Sequence, residues 1–281
     1  MKLLNKNREW KERILRAIFP HVKLKDKNIS WYKRIFVYLE ILIMFWVILW
    51  LLFLMFYDVM FLHKYNHENL TFYTNKNLSN NKSFSNILER VDRQLDKYNI
   101  KLKNLNADIY IVNNNLMYMV GMTPGMQIFL RYADAYTAFG SIYFKKVDIE
   151  NNKSYSYEGK QYLTPFTLVL GHELVHIWQE NYVGYIKFIL LPQWIKEGYA
   201  VYVTEEYKNI KSEKDFITWA KDDLNNLPTG ELYTLYGLMI KHSIEEMNKT
   251  IEDLHLEKVN YEEVLESLLK KHSFYLIKTM F

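Results

Sequence analysis

Two histidines and two glutamates in the second half of the chain have the residue types and spacing of a metal site. His172 and His176 are four residues apart in the run His-Glu-Leu-Val-His. On a helix of about 3.6 residues per turn their imidazoles leave the same face one turn apart, so both can bind one ion. Glu173 is offset by one position. It is therefore not placed to share that coordination, but it can hydrogen-bond a water held by the metal and act as a general base.

A further protein ligand is needed to complete such a site. A catalytic zinc keeps three protein ligands and leaves its fourth position to water. Glu197 lies 21 residues beyond His176, in a second helix-like stretch, and is the candidate for the third ligand. The chain contains no cysteine, so any metal must be bound by histidine and carboxylate. The sequence therefore predicts one Zn²⁺ per chain, bound by His172, His176 and Glu197.

The motif and the residues that follow it resemble the gluzincin metallopeptidases. This clan contains thermolysin and the large zinc aminopeptidases, and the resemblance is strongest to its compact peptidase MA-like members. It covers roughly residues 164–207 and rests on the two histidines and the glutamate between them, followed by Trp194, Glu197, Gly198, Ala200 and Tyr202. It implies an α+β fold, a zincin-like catalytic domain with a small mixed sheet, a motif helix, a glutamate helix and a C-terminal helical lobe. The distance from His176 to Glu197 is slightly longer than in the best-known branches, so the loop through Pro192 must differ.

The resemblance also implies an activity, zinc-dependent hydrolysis of a protein or peptide substrate. Glu173 would take the proton of the zinc-held water and pass it to the leaving amine. In this clan a Tyr or His of the later lobe stabilises the oxyanion. The candidates here are Tyr233, Tyr236 and His242, which the sequence does not separate, and Tyr236 is the one we carry forward. The Gly-x-Met-Glu-Asn stretch of the aminopeptidase branch has no counterpart in this chain, which favours an endopeptidase.

Other interpretations fit the same residues. A histidine pair on the surface of an amphipathic helix has the same spacing as a ligand pair. A membrane-anchored binding or signalling module with a vestigial zincin site would keep the fold without hydrolysis. A zinc hydrolase of a non-protein amide, in cell-wall or lipid material, would bind the metal but leave proteins intact.

The N-terminal part of the chain has a different character. Residues 1–34 contain eleven Lys or Arg against three acids, a formal charge of +8, and are predicted to be a basic cytoplasmic segment. Residues 35–57 include 17 consecutive uncharged residues from Ile41 onward and are predicted to be a transmembrane helix. By the positive-inside rule the N-terminus would be cytoplasmic and the catalytic domain extracytoplasmic. The predicted partners are thus a lipid bilayer and a peptide substrate, and not nucleic acid.

The remaining residues divide into a polar linker, 58–83, and a metallopeptidase domain, 84–281. In the domain, hydrophobic periodicity and turn residues predict helices and strands. Ser141–Lys145 is the predicted edge strand for an extended substrate, with a packing strand as the alternative, and Thr164 is predicted to cap the motif helix. The predicted strands are 108–112, 127–132 and 140–147; the predicted helices are 84–98, the motif helix from 164, 193–207, 213–224, 231–248 and 260–272.

Overall fold

The computed structural model describes residues 38–49, 58–113, 135–138, 140–155, 163–222 and 224–278. These residues belong to two compact units, with 38–49 in the first and everything from residue 58 onward in the second. The first unit contributes one described segment, which is helical. The second contains all the residues proposed above to do chemistry.

The second unit is built on a five-stranded mixed sheet with strand order β1-β2-β3-β5-β4. Strand β3 pairs in parallel with β2 and with β5, while β1 and β4 pair antiparallel with their neighbours. A smaller antiparallel sheet is formed by β6, β7 and β8. The strands are β1 His63–His67, β2 Leu70–Thr74, β3 Ala107–Ile111, β4 Ala135–Ala138, β5 Ser141–Phe144, β6 Val147–Asp148, β7 Lys153–Tyr155 and β8 Leu163–Pro165.

The helices of this unit pack on one another, and two of them also contact the main sheet through aromatic side chains. Short 3₁₀ turns at Leu102–Asn104, Glu206–Asn209 and Leu224–Asn226 separate some of them. The α-helices are α1 Lys82–Asp96, α2 Phe166–Val183, α3 Tyr185–Leu190, α4 Gln193–Thr204, α5 Glu213–Asp222, α6 Thr229–Glu245, α7 Ile251–His255 and α8 Tyr261–Lys278.

Aromatic contacts hold helices α1 and α2 against the main sheet. Phe72 of β2 meets Phe84 of α1 edge to face at 5.0 Å, and Phe144 of β5 meets Phe166 of α2 in the same way at 4.9 Å. All four side chains are 0% exposed. Such ring pairs contribute about 0.5–1.5 kcal/mol beyond the area they bury. They hold α2, the helix that carries the two histidines, against the sheet.

The predicted fold class is wrong in two respects. The chain is mixed α/β rather than α+β, because α1 connects the parallel neighbours β2 and β3 and so intersperses helix with strand along the chain. Within the described residues, moreover, we find no helix that combines the length and apolar character needed for a bilayer span. The helical residues described in this part of the chain, 38–49, are fewer than the roughly 20 that a bilayer span needs. Of the predicted transmembrane segment, 35–57, the structure describes only 38–49, and the predicted cytoplasmic segment 1–34 lies outside the described residues.

The predicted linker, 58–83, contains two strands of the main sheet. Leu70, Phe72 and Thr74 of β2 alternate with residues of the opposite face and are fully buried. β1 pairs with β2 along its whole length, from His63 opposite Thr74 to His67 opposite Leu70. The polar Asn-Lys-Ser composition after residue 74 masked this alternation, because a strand of five residues contributes only two or three apolar side chains to one face.

The strand order shows that the residues predicted to form the substrate-binding edge of the sheet do not lie at an edge. Ser141–Phe144 is an inner strand, paired on one side with β3 and on the other with β4. Among the residues that the structure describes, the sheet ends at β1 on one side and at β4, next to Ser141–Phe144, on the other. Order within a sheet depends on long-range pairing, which strand periodicity does not specify. The helix predicted over 84–98 and the strand predicted over 108–112 are confirmed within one or two residues, and the strand predicted over 127–132 lies outside the described residues.

Helices α4 and α6 cross closely because glycine stands where they meet. A Cβ at Gly198 of α4 would lie 2.7 Å from the carbonyl oxygen of Tyr236 and 2.9 Å from Ile240 Cγ1. A Cβ at Gly237 of α6 would lie 2.3 Å from Val201 Cγ1. Each helix therefore presents its backbone to the other, and Gly198 directly follows the proposed ligand Glu197.

Gly198→Ala is expected to destabilise the chain by about 1–3 kcal/mol, because the added methyl must push α6 away. Gly230→Ala is the matched control, since a Cβ there meets nothing within 4 Å in the described part of the chain. That change should leave stability equal or raise it by up to about 1 kcal/mol, through the better helix propensity of alanine. Urea unfolding measures both, and equal midpoints for the two variants would contradict the close-packing argument.

Candidate metal centre

The motif helix α2 is positioned by the small sheet that precedes it. The backbone N–H of Thr167 donates to Asn152 Oδ1 at 2.9 Å, and that of Phe166 donates to the carbonyl of Asn152 at 3.1 Å. Asn152 has φ 52, a left-handed conformation that asparagine tolerates. The predicted cap, Thr164, instead belongs to β8. The helix start is thus capped from a distant turn, which local sequence did not reveal.

Helices α2 and α4 bring the three predicted ligands together. His172 Nε2 lies 3.2 Å and His176 Nε2 3.5 Å from Glu197 Oε2, and ligand atoms of all three residues lie within 4.8 Å of one another. Two ligands about 2.1 Å from one tetrahedral zinc are about 3.4 Å apart, so both separations to Glu197 fit. The three side chains are between 9% and 18% exposed. The site is therefore accessible from solvent, as a catalytic rather than a closed structural metal site requires.

The charges of the cluster favour a cation. Burial by itself would raise the pKa of Glu197, but the imidazoles of His176 and His172 outweigh it and hold that pKa well below its usual range. Burial would lower the pKa of His172, yet Glu206 and Glu197 outweigh it and raise that pKa well above its usual range. Without a metal, a proton on His172 offsets part of the negative charge of the two carboxylates. A divalent cation would replace that proton, so its binding releases a proton to solvent.

Glu206 orients the first histidine, and sequence reasoning missed it. His172 Nδ1 lies 2.9 Å from Glu206 Oε1. A carboxylate of this kind accepts, so Nδ1 carries the proton and Nε2 faces Glu197. The hydroxyl of Thr204 also donates to Glu206 Oε1, at 2.9 Å. Glu205, left-handed with φ 59, ends α4 and turns the next residue back towards His172. The only sequence signal was an acidic pair just after the glutamate helix.

Glu173, the proposed general base, contacts a terminal strand of the sheet. Its side chain is 7% exposed. Its Oε2 accepts a hydrogen bond from Thr137 Oγ1 of β4 at 2.6 Å. This contact links the carboxylate to the strand that could pair with a substrate. Thr137 was not predicted, because the edge strand was assigned to the residues after it.

Of the three candidates for the oxyanion donor, Tyr233 is the one that interacts electrostatically with Glu197 and Glu173. Burial raises the pKa of Tyr233 to about 12, and the carboxylates of Glu197 and Glu173 add to that rise. Gln193 Nε2 donates to its phenolic oxygen at 3.0 Å, which leaves the phenolic proton to donate elsewhere. Tyr236, the residue carried forward from the sequence, instead meets Tyr261 edge to face at 6.4 Å.

His242 has a structural environment. It is 6% exposed, and its Nε2 lies 2.9 Å from the hydroxyl of Ser267 on α8. Residues 233 and 236 are three apart and share one face of α6, whereas residue 242 is two and a half turns from residue 233 and lies on the opposite face. Only the packing of α6 against α4 decided which of them lies beside Glu197.

Comparisons of the chain with models of known protein families, with curated proteins and with solved structures find no match. The resemblance to the gluzincins therefore stays a prediction made from the motif residues.

Proposed function

We propose that this chain is a zinc-dependent endopeptidase. The observation that carries the proposal is the convergence of His172, His176 and Glu197 from two helices, with ligand atoms within 4.8 Å of one another. The buried carboxylate of Glu173 supports it, because it lies on the same helix between the two histidines. Zinc bound to the three residues would supply a Lewis acid that polarises a peptide carbonyl and lowers the pKa of a water molecule.

The chain's own residues supply the proton transfers. Glu173 accepts the proton of the attacking water on its carboxylate and returns it to the leaving amine. Thr137 holds that carboxylate in place through the 2.6 Å hydrogen bond to Oε2. The phenol of Tyr233 stays protonated at neutral pH, because burial raises its pKa to about 12, and it donates to the oxygen of the scissile carbonyl.

An extended substrate would pair with β4. In the described part of the sheet β4 is one of the two terminal strands, and its Thr137 contacts Glu173. Backbone pairing with a terminal strand binds peptides with little regard to their side chains. This assigns the substrate-aligning role to Ala135–Ala138 in place of the residues predicted from sequence.

Removal and restoration of the metal tests the proposal. The purified chain should contain about one zinc, and a chelator should remove both the metal and the cleavage of an unstructured protein such as casein. Stoichiometric zinc should restore both, whereas magnesium, which prefers oxygen ligands, should not. A chain that binds zinc yet cleaves no peptide would exclude the peptidase and leave the vestigial module or the hydrolase of a non-protein amide. A folded chain that binds no zinc would exclude the proposed zinc site and the hydrolysis that depends on it.

Tyr233→Phe should lower kcat by about 10²- to 10³-fold with zinc still bound, because it removes a hydrogen-bond donor to the oxyanion. Tyr236→Phe makes the same chemical change one turn along α6, where the phenol faces Tyr261, and should leave kcat unchanged. Steady-state kinetics on one peptide decide between them. A larger loss in Tyr236→Phe would restore the residue carried forward from the sequence.

A further inference from the structure

A series of hydrogen bonds connects His176, the second histidine of the motif, to helix α7 near the C-terminus. His176 Nδ1 lies 3.0 Å from Gln179 Oε1, and Gln179 Nε2 lies 3.2 Å from His255 Nε2. His255 Nδ1 in turn lies 2.9 Å from the carbonyl oxygen of Ile251. Gln179 and His255 are both 0% exposed. Two residues with no access to solvent therefore connect α7 to a proposed metal ligand.

The donor and acceptor of each hydrogen bond in this series can be assigned, because one group in it can only accept. The carbonyl of Ile251 can only accept, so His255 Nδ1 donates and carries the proton. The buried, neutral imidazole then offers Nε2 as an acceptor, which requires the amide nitrogen of Gln179 on that side. The same nitrogen is 3.5 Å from the carbonyl oxygen of Ile195, a second acceptor. Gln179 Oε1 must therefore face His176, and it accepts from Nδ1–H.

This orientation leaves the lone pair of His176 Nε2 directed at the metal position. Nε2 is the atom 3.5 Å from Glu197 Oε2. Had the amide of Gln179 been reversed, its NH₂ group would face His176 and favour the tautomer with the proton on Nε2, which leaves that atom no lone pair for the metal. The orientation of one buried amide thus decides whether the second histidine is ready to bind.

His255 is itself held rigidly. Its ring meets the rings of Tyr199, Tyr182 and Trp178 edge to face at 5.1, 5.5 and 5.7 Å. Burial lowers the pKa of His255, which keeps the imidazole neutral. Helix α7 begins with a capping box, in which Asp253 N donates to Thr250 Oγ1 at 3.0 Å and Thr250 N donates to Asp253 Oδ2 at 3.1 Å. The carbonyl of Ile251, the last acceptor in the series of hydrogen bonds, therefore has a well-defined position.

We propose that Gln179 and His255 are positioning residues that hold His176 in its metal-binding tautomer, so that the C-terminal lobe sets the zinc affinity of the site. The inference rests on the proposed zinc site, which it deepens. It does not require that the bound metal hydrolyse peptides. Helix α7 then acts as a support for the metal centre, 76 residues along the chain from Gln179.

Zinc affinity in variants of the purified chain tests this, measured by competition with a chromophoric chelator. Gln179→Leu and His255→Leu should each weaken zinc binding by about 10- to 100-fold, the usual effect of removing a partner of a metal-binding histidine. The double variant should bind zinc no more weakly than Gln179→Leu, because both changes interrupt one chain. His255→Gln should retain most of the affinity, since its amide oxygen can accept from Gln179.

His242→Leu is the control for simple destabilisation. His242 is also buried in this lobe, but its partner is Ser267, so the variant should unfold more readily and bind zinc as the wild type does. Nitrogen-15 NMR of the histidine rings in the wild type should find His255 protonated at Nδ1. Protonation at Nε2, or unchanged zinc affinity in both leucine variants, would overturn the inference and leave the peptidase proposal standing. A wild-type chain that binds no zinc would overturn the proposed function itself.

Discussion

Glu173→Gln is expected to lower kcat for peptide hydrolysis by about 10²- to 10⁴-fold while about one zinc stays bound per chain. Glutamine has nearly the same shape as glutamate and can still accept the hydrogen bond that Thr137 donates at 2.6 Å. It cannot accept a proton from water at neutral pH. The site should therefore keep its metal and its geometry and lose only the proton transfer.

A change of the same kind on the same helix provides the control. Glu180 lies two turns beyond Glu173 in α2, and burial raises the pKa of its carboxyl. Glu180→Gln replaces this carboxyl by a neutral group of equal size and should leave kcat unchanged. Activity of Glu173→Gln equal to that of the wild type would show that another group is the base. Loss of zinc from that variant would show that Glu173 supports the metal.

Glu197→Ala is expected to remove zinc from the chain after dialysis, and with it all hydrolysis. Two histidines would remain, without the one carboxylate among the three proposed ligands and without its negative charge. The loss of affinity should exceed the roughly 10- to 100-fold that follows from removing a hydrogen-bond partner of a ligand. Elemental analysis and the zinc-induced rise in Tm measure the effect, since a bound metal stabilises the folded state.

Glu252→Ala is the matched control for this change. Glu252 is an exposed carboxylate at the start of α7, and its removal should leave both zinc content and the rise in Tm unchanged. Retention of full zinc by a folded Glu197→Ala chain would exclude Glu197 as the third ligand. The metal site would then need another carboxylate, and Glu206, 2.9 Å from His172, would be the first to examine.

Much of the fold was predictable where local pattern decides structure. The helix containing Phe84, Leu88 and Leu95 was predicted within two residues, because these side chains recur at the helical period and are all buried. The strands before α1 were missed, since β1 and β2 are stabilised by pairing with partners elsewhere in the chain. The same dependence on partners makes Ser141–Phe144 an inner, packing strand, which was the alternative prediction, and leaves β4 at one edge of the sheet.

The sequence by itself determined the set of residues in the proposed metal site. Helix geometry places His172 and His176 on one face, with Glu173 offset by one position. A catalytic zinc needs a third protein ligand, and Glu197 is the candidate in the next predicted helix. Both arguments use only residue type and distance along the chain. They hold for any tertiary structure that brings α4 beside α2.

Only the tertiary structure decided which side chains support those residues. Thr137 meets Glu173 across 36 residues of sequence, and Gln179 meets His255 across 76. Such contacts depend on how helices and strands pack, and no local period encodes them. The choice of Tyr233 over Tyr236 has the same origin, because it depends on how α6 packs against α4, where Gly198 and Gly237 allow close approach. The ligands can thus be predicted from periodicity and coordination chemistry, whereas their supports are properties of the packed structure.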